Sequence, residues 1–217
     1  MTDANDALKA RLLRGAHAMQ IELSDAQTGA LMDYLGLFQK WNKAYNLTAI
    51  REPERMVDLL LLDSLAVHPF VQDADTIIDV GTGPGLPGVV LAIMNPQRQF
   101  TLLDSNGKKT RFLFQARTAL KLDNLTIVND RVEAYHPPQP FDMIVSRAFA
   151  SLADMTSWCR HLRADDGCFL AMKGQYPEDE LRAIENEYEL VASHAISVPG
   201  VDGERHLLRL IPRPAAH

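Results

Sequence analysis

The chain has 217 residues, 47% hydrophobic and 23% charged, with a formal net charge of −6. That composition supplies an ample core for one large domain, and the negative balance argues against strong, indiscriminate nucleic-acid binding, which comes from neutralising phosphates. Its longest leucine run, Leu59 to Leu62, is bracketed by Asp58 and Asp63 and falls far short of a membrane span. Two cysteines without CxxC spacing and seven scattered histidines give neither a disulfide framework nor a zinc pattern, so no metal is expected. The opening "MTDANDALKARLLRG" lacks the apolar centre of a signal peptide, and a cytoplasmic address is expected.

The first 70 or so residues read as helical. Ser24 is an N-cap candidate, and Leu31, Leu35, Phe38, Trp41 and Tyr45 then recur at i+3 and i+4 spacing. Trp41 and Tyr45 fit a core stripe or, failing that, a base-stacking platform, and Asn46 beyond them fits a helix C-terminus or a substrate contact. A second helix spans about 54–68 and ends before Pro69. From Asp75 onward, short apolar runs alternate with amphipathic segments: strands at 76–80, 99–104, 125–129, 141–149 and 168–173, and helices at about 87–94, 107–121, 151–163 and 177–187. Such alternation builds a mostly parallel sheet covered on both faces. The last two runs, 188–199 and 205–212, are separated only by "GVDGE", which suits a hairpin and leaves no room for a crossover helix. The expectation is an α/β chain in two parts packed as one unit, a helical cap at 1–70 and a ligand-binding sheet domain at 71–217.

Ligands of such sheets bind at the carboxyl ends of strands, where "DVGTGPGLPG" (79–88) follows the first strand. Gly81, Gly83 and Gly85 give G-x-G-x-G, but Leu86 stands where the dinucleotide fingerprint wants its third glycine. Gly83 and Gly88 have P-loop spacing, yet Val89 and Val90 follow in place of Lys and Ser/Thr. Asp79, expected at the mouth of the site, would repel a pyrophosphate and attract an ammonium or sulfonium. S-adenosylmethionine (SAM), whose transfer product is S-adenosylhomocysteine (SAH), combines an amino-acid end, an adenosine and no phosphate. Asp104 ends the second strand where a carboxylate accepts from ribose hydroxyls. After the third strand, Val132 and Glu133 reach an adenine edge. An NAD(P)-linked enzyme uses an acid like Asp104 in the same way, and both it and a non-catalytic nucleotide binder stay open at this point.

The acceptor belongs above the fourth strand, where "SRAF" (146–149) has neither the proline nor the carboxamide that amino-methylating enzymes of bases carry. Cys159 and Cys168 lie away from that tip, so a cysteine nucleophile for cytosine C5 is absent. No catalytic residue is assigned. Guanine N7 is compatible, because its lone pair is exposed on the Hoogsteen edge and needs no base. Arg147 is assigned to binding, of the cofactor carboxylate or of RNA. Lys108, Lys109, Arg111, Arg117 and Lys121 form an acid-free basic segment between Asp104 and Asp123. It reads as a solvated helix face or an RNA contact.

Taken together, "NKAYNLTAI" (42–50), "DVGTGPGLPG" (79–88), "LLDSNGKKTRFL" (102–113), "VSRAFASL" (145–152), "KG" (173–174) and "GERHL" (203–207) resemble the ribosomal RNA small subunit methyltransferase G family over nearly the whole chain. The resemblance implies a class I SAM-dependent methyltransferase fold, with a seven-stranded sheet ending in an antiparallel hairpin. It also implies methylation of one guanine N7 in 16S rRNA near the decoding centre, on naked RNA or on the small ribosomal subunit. The family's cofactor contacts fall on Gly81, Leu86, Val132, Glu133 and Arg147; Asp79, Gly83, Gly85 and Asp104 join them from class I geometry. Lys108, Lys109 and Arg111 become the candidate RNA contacts, and the default oligomeric state is monomer. Methylation of a small molecule or a protein is the competing enzyme reading, and a sensor without chemistry the competing non-enzyme one.

Overall fold

The computed structural model describes residues 2–149 and 151–214. Helices α1 (Thr2–Ala18) and α2 (Asp25–Tyr45) open the chain. Ser24 caps α2 as its spacing predicts: its hydroxyl accepts from the Gln27 N–H, and the Gln27 side chain returns the bond to the Ser24 N–H. Asn46 closes the helix in the left-handed conformation, at φ 51°. Short helices α3 (Pro53–Met56) and α4 (Asp63–Leu65) flank a π-helical stretch, Val57–Leu62. A 3₁₀ turn, His68–Phe70, then carries Pro69. The predicted second helix is therefore present, but a wide turn interrupts it and it gives way at Leu65, short of His68.

Seven strands follow: β1 (Thr76–Val80), β2 (Gln99–Asp104), β3 (Leu125–Asn129), β4 (Phe141–Ser146), β5 (Arg163–Lys173), β6 (Tyr188–Ala195) and β7 (His206–Pro212). Helices α5 (Gly88–Met94), α6 (Gly107–Leu120), α7 (Leu152–Cys159) and α8 (Glu178–Ile184) lie between them. Spatial order is β3-β2-β1-β4-β5-β7-β6. The first five strands pair in parallel, while β7 pairs antiparallel with both β5 and β6. The order reverses between β1 and β4, and the crevice above their carboxyl ends is where this topology receives ligands.

Three strands, β1 to β3, match their predicted bounds: β1 and β2 are buried on both faces and read as unbroken apolar runs, while the edge strand β3 keeps alternate residues Leu125 and Ile127 buried. β4 is shorter than predicted: it ends at Ser146, and Arg147 to Phe149 leave the sheet. β5 is longer, starting at Arg163, since its polar "RADDG" start still pairs with β4 through a register shift between Phe141 and Met143. Pairing there is a backbone property that hydropathy does not report.

One apolar cluster runs from the N-terminal helices into the sheet, joining Leu12, Leu31, Phe38, Leu61, Ile77 and Phe112. Phe38 and Phe112 meet edge to face at 5.7 Å, and Trp41 packs on Phe112 at the same distance. A second cluster on the other face gathers Ile78, Val80, Phe141, Met155 and Phe169. The N-terminal helices, from Leu8 onward, thus share a core with the sheet. No helix among the described residues is long and apolar enough to cross a membrane.

Candidate functional site

The glycine loop after β1 is held from three sides. Gly81 and Thr82 donate their N–H groups to Leu103 O, at 2.9 and 3.1 Å. The Gly83 N–H donates to Asp104 Oδ2 at 2.8 Å. From the helical cap, the buried Tyr34 hydroxyl donates to Pro84 O at 2.8 Å, and burial keeps that phenol protonated well above its ordinary range. A Cβ on Gly81 (φ +68°) would sit 2.7 Å from Ala148 Cβ, so only glycine lets the loop lie against the tip of β4.

Gly81 and Ala148 form a ridge shared by two cavities. The first, about 440 Å³, lies toward the helical cap and the β6–β7 hairpin; Gly83, Lys109, Arg147, Lys173 and Arg205 are in its wall. The second, about 420 Å³, lies over β2 and β3; Asp104, Val132, Glu133, Phe149 and Trp158 are in its wall. Phe149 and Trp158 meet edge to face at 5.8 Å, and Trp158 is half exposed, an aromatic wall the sequence did not single out.

Asp104 is built to be an acceptor. Oδ1 takes the Asn106 N–H and Oδ2 the Gly83 N–H, both at 2.8 Å, which leaves a further lone pair on each oxygen. Asn106 in turn caps α6, accepting from the N–H groups of Lys108 and Lys109. The basic segment divides here: Lys108 and Arg111 are exposed, whereas Lys109 is half-buried at the first cavity.

Asp79 departs from its expected place. Instead of standing at the mouth of the site it is 1% exposed beneath the loop and lines neither cavity. Its Oδ2 accepts from the Thr82 hydroxyl at 2.7 Å and the Gly88 N–H at 2.8 Å, tying loop to helix start. Burial pushes its pKa up to about 6, against the lowering pull of those two bonds and of Arg147. Oδ1 has no partner among the described residues. Leu86 and Gly85 are likewise in neither wall. Leu86 is 1% exposed within the core, and a Cβ on Gly85 would strike Val89 and Leu113 at 2.4 and 2.6 Å. These three shape the loop from below.

Arg147 lines the first cavity with its side chain 30% exposed, and donates to Asp63 Oδ2 at 3.4 Å. Arg205 Nε donates to the other oxygen of Asp63 at 2.9 Å. Sequence reasoning missed Asp63 and Arg205 as site residues. Their partners lie 84 and 142 residues apart in the chain, so no local pattern joins them. "GERHL" was the one signal for Arg205. Lys173, from "KG", pairs with Glu180 at 2.7 Å beside the same cavity.

SAM is compatible with these walls. A carboxylate with spare lone pairs and an aromatic side suit a nucleoside, a cluster of cations suits a carboxylate, and the bare ridge admits a ligand passing between the lobes. Comparison with known proteins gives the same direction. The model of the rRNA small subunit methyltransferase G family matches residues 27–208. The chain belongs to that family. Within it, the ribosomal RNA small subunit methyltransferase G of Ectopseudomonas mendocina is 58% identical over 200 residues, covering 92% of this chain and 94% of its own. That of Marinobacter nauticus is 52% identical over 207 residues, covering 95% and 96%. Among solved structures, the N-methyltransferase NodS of Bradyrhizobium japonicum in complex with SAH aligns with a TM-score of 0.56 at 14% identity, over 82% of this chain and 98% of that one. The glycopeptide N-methyltransferase MtfA complexed with SAM aligns at 0.59 and 11% identity, over 70% and 87%. Those likenesses establish that this family member has the class I methyltransferase fold.

Proposed function

We propose that this chain transfers the methyl group of SAM to N7 of a guanine in 16S rRNA near the decoding centre, acting as a single copy in the cytoplasm. Family membership supports the rRNA acceptor. The observation that supports the N7 assignment is the chemistry at the ridge, where two cavities meet with no cysteine in either wall among the described residues. Cys159 and Cys168 are buried away from both, and burial pushes the Cys159 thiol up to about 12 and the Cys168 thiol in the same direction. Guanine N7 presents an unprotonated lone pair and asks for neither base nor nucleophile.

When bound, SAM supplies an electrophilic methyl group on a sulfonium. The chain's contribution is alignment. Asp104 accepts from the ribose hydroxyls with the lone pairs left over from the Gly83 and Asn106 N–H groups. Glu133 and the Val132 backbone address the adenine edge, with Phe149 and Trp158 as the apolar wall beside them. Gly81 and Gly83 bring bare backbone to the ligand, held up by Asp79, Gly85 and Leu86, and Arg147 takes the carboxylate of the methionine part. Lys108 and Arg111 on the exposed face of α6, with Lys109 at the rim, hold phosphates and so position the RNA without reading its sequence. No proton leaves N7, so acceleration comes from holding the acceptor in line with the methyl group in a site that excludes water. Positive charge moves onto the guanine during transfer, and the cations therefore bind anions without lowering the barrier itself.

The decisive experiment incubates the protein with labelled SAM and, in parallel, 16S rRNA or small ribosomal subunits, then maps label to base and atom. Label on one guanine N7 is expected. Label on another atom, or on none, removes the proposal.

A further inference from the structure

Asp63 stands alone in sign. Four permanent cations, Lys109, Arg147, Lys173 and Arg205, line the first cavity, and Asp63 is the single carboxylate in that wall among the described residues. Its side chain is only 9% exposed, yet it serves two guanidiniums unequally: Arg205 at 2.9 Å and Arg147 at 3.4 Å, with longer reach and looser geometry. Arg205 also gives an N–H to its neighbour's carbonyl, Glu204 O. Each guanidinium has five donors, so both keep N–H groups free of Asp63 at the cavity wall.

The π-helical turn explains how one acid reaches both arginines. The Asp63 N–H donates to Asp58 O, five residues back. In an ordinary α-helix, residues five apart point about 140° from one another; the wider turn narrows that angle. Asp58 and Asp63 consequently work on the same side. Asp58 holds Arg11 of α1 through two bonds of 2.7 and 2.6 Å. It also seats the β6–β7 loop, since a Cβ on Gly200 would lie 2.5 Å from its Oδ2. That loop ends in Arg205, delivered to Asp63. A π turn embedded in a helix is a frequent mark of a functional position.

We propose that Asp63 is a positioning residue that divides the two arginines between two anions. It anchors Arg205 as a fixed binder of an RNA phosphate beside the target nucleotide, and it yields Arg147 to the carboxylate of the cofactor. This rests on the RNA-methylating function proposed above. The tight bond is the anchor and the long one is the exchangeable contact.

The two arms have different signatures. In Asp63→Asn, Arg205 loses its ionic anchor while Arg147 loses a competitor. With 16S rRNA or small subunits as acceptor, KM for the RNA is expected to rise about tenfold, less than the loss of a fully buried charge pair because Arg205 is 29% exposed. Calorimetric Kd for SAH is expected to stay equal or tighten, and Asp63→Glu is expected to recover most of the RNA KM. Arg205→Gln is expected to raise RNA KM by at least that factor, and the double variant to be no worse than Arg205→Gln alone, because Asp63 acts on the RNA through Arg205. Asp73→Asn, which breaks the remote Arg209 pair at 2.6 Å, is expected to leave both constants unchanged. A parallel worsening of SAH binding and RNA KM in Asp63→Asn would assign Asp63 to the fold alone and overturn the proposal. So would an RNA KM that does not move, or additive losses in the double variant. Failure of the wild-type chain to label RNA, with SAH binding intact, would instead sink the function on which the proposal rests.

Discussion

Asp79→Asn isolates a single buried carboxyl whose ionisation opposes the fold. Asp79 sits 1% exposed beneath the glycine loop, and burial lifts its pKa from an ordinary 3.8 to about 6 despite two hydrogen bonds to Oδ2. The folded chain therefore holds this proton over a window in which the unfolded chain has already lost it. The group's stabilising contribution is full below pH 3.8 and disappears as pH rises through 6. About 1.4 kcal/mol per pH unit over roughly two units sets the scale at about 3 kcal/mol. Asparagine keeps the shape and an acceptor for Thr82 and Gly88 but does not titrate. Urea denaturation of both chains at a series of pH values from 4 to 7 gives the difference in stability, in which the other titrating groups cancel. That difference is expected to move in favour of the variant by about 2.5 kcal/mol between the two ends, the remainder of the roughly 3 kcal/mol falling below pH 4. A difference that is flat, or that moves in favour of wild type with rising pH, would mean the carboxylate is stably ionised throughout and that its hydrogen bonds outweigh its burial.

Other substitutions separate the two lobes and the loop. Asp104→Ala is expected to weaken SAH binding by about tenfold or more, through loss of a charged hydrogen-bond acceptor, with calorimetry as the check. Lys108→Ala combined with Lys109→Ala is expected to reduce the salt dependence of RNA binding by nearly two phosphate contacts, a slope change of about 1.5 in log K against log salt. SAH affinity is expected to hold within a few-fold. Gly85→Ala places a Cβ against Val89 and Leu113 at a φ of +102°, and is expected to cost about 3 kcal/mol or more in denaturant unfolding, from overpacking and backbone strain together. Tyr34→Phe removes the bond to Pro84 O and is expected to lower stability by about 1–2 kcal/mol while loosening SAH binding, so that a variant unchanged in both would show the cap does not brace the loop.

Much of this molecule was legible because its signals are local. Buried parallel strands read as apolar runs, Ser24 and Gln27 spell out a capping box, and Gly81 and Gly83 announce a loop that must lie close to something. Asp104 and the pair Val132–Glu133 share one cavity wall, which their positions after β2 and β3 make readable. Asp79 was assigned to the mouth of the site because order along the chain does not say which face of the last strand residues a side chain takes. Its partner is Gly88, nine residues on, where a Cβ would come within 2.8 Å of the carboxylate. The π turn was illegible, since "VDLLLL" satisfies an ordinary helical pattern equally well. Asp63 was invisible for another reason: its value lies in two arginines far apart in the chain, one after β4 and one before β7, which only the completed sheet order brings together.

The shared core of cap and sheet also imposes an order on synthesis. Phe38 leaves the ribosome well before Phe112, the ring it packs against. At about 5–20 residues per second the intervening stretch takes some 4–15 seconds to translate. During that interval the leading helices present an apolar flank with nothing to cover it, and they are natural clients for a chaperone. Arg205 emerges later still, so a nascent chain can own every wall of the cavity over β2 and β3 while the neighbouring cavity waits for its last one.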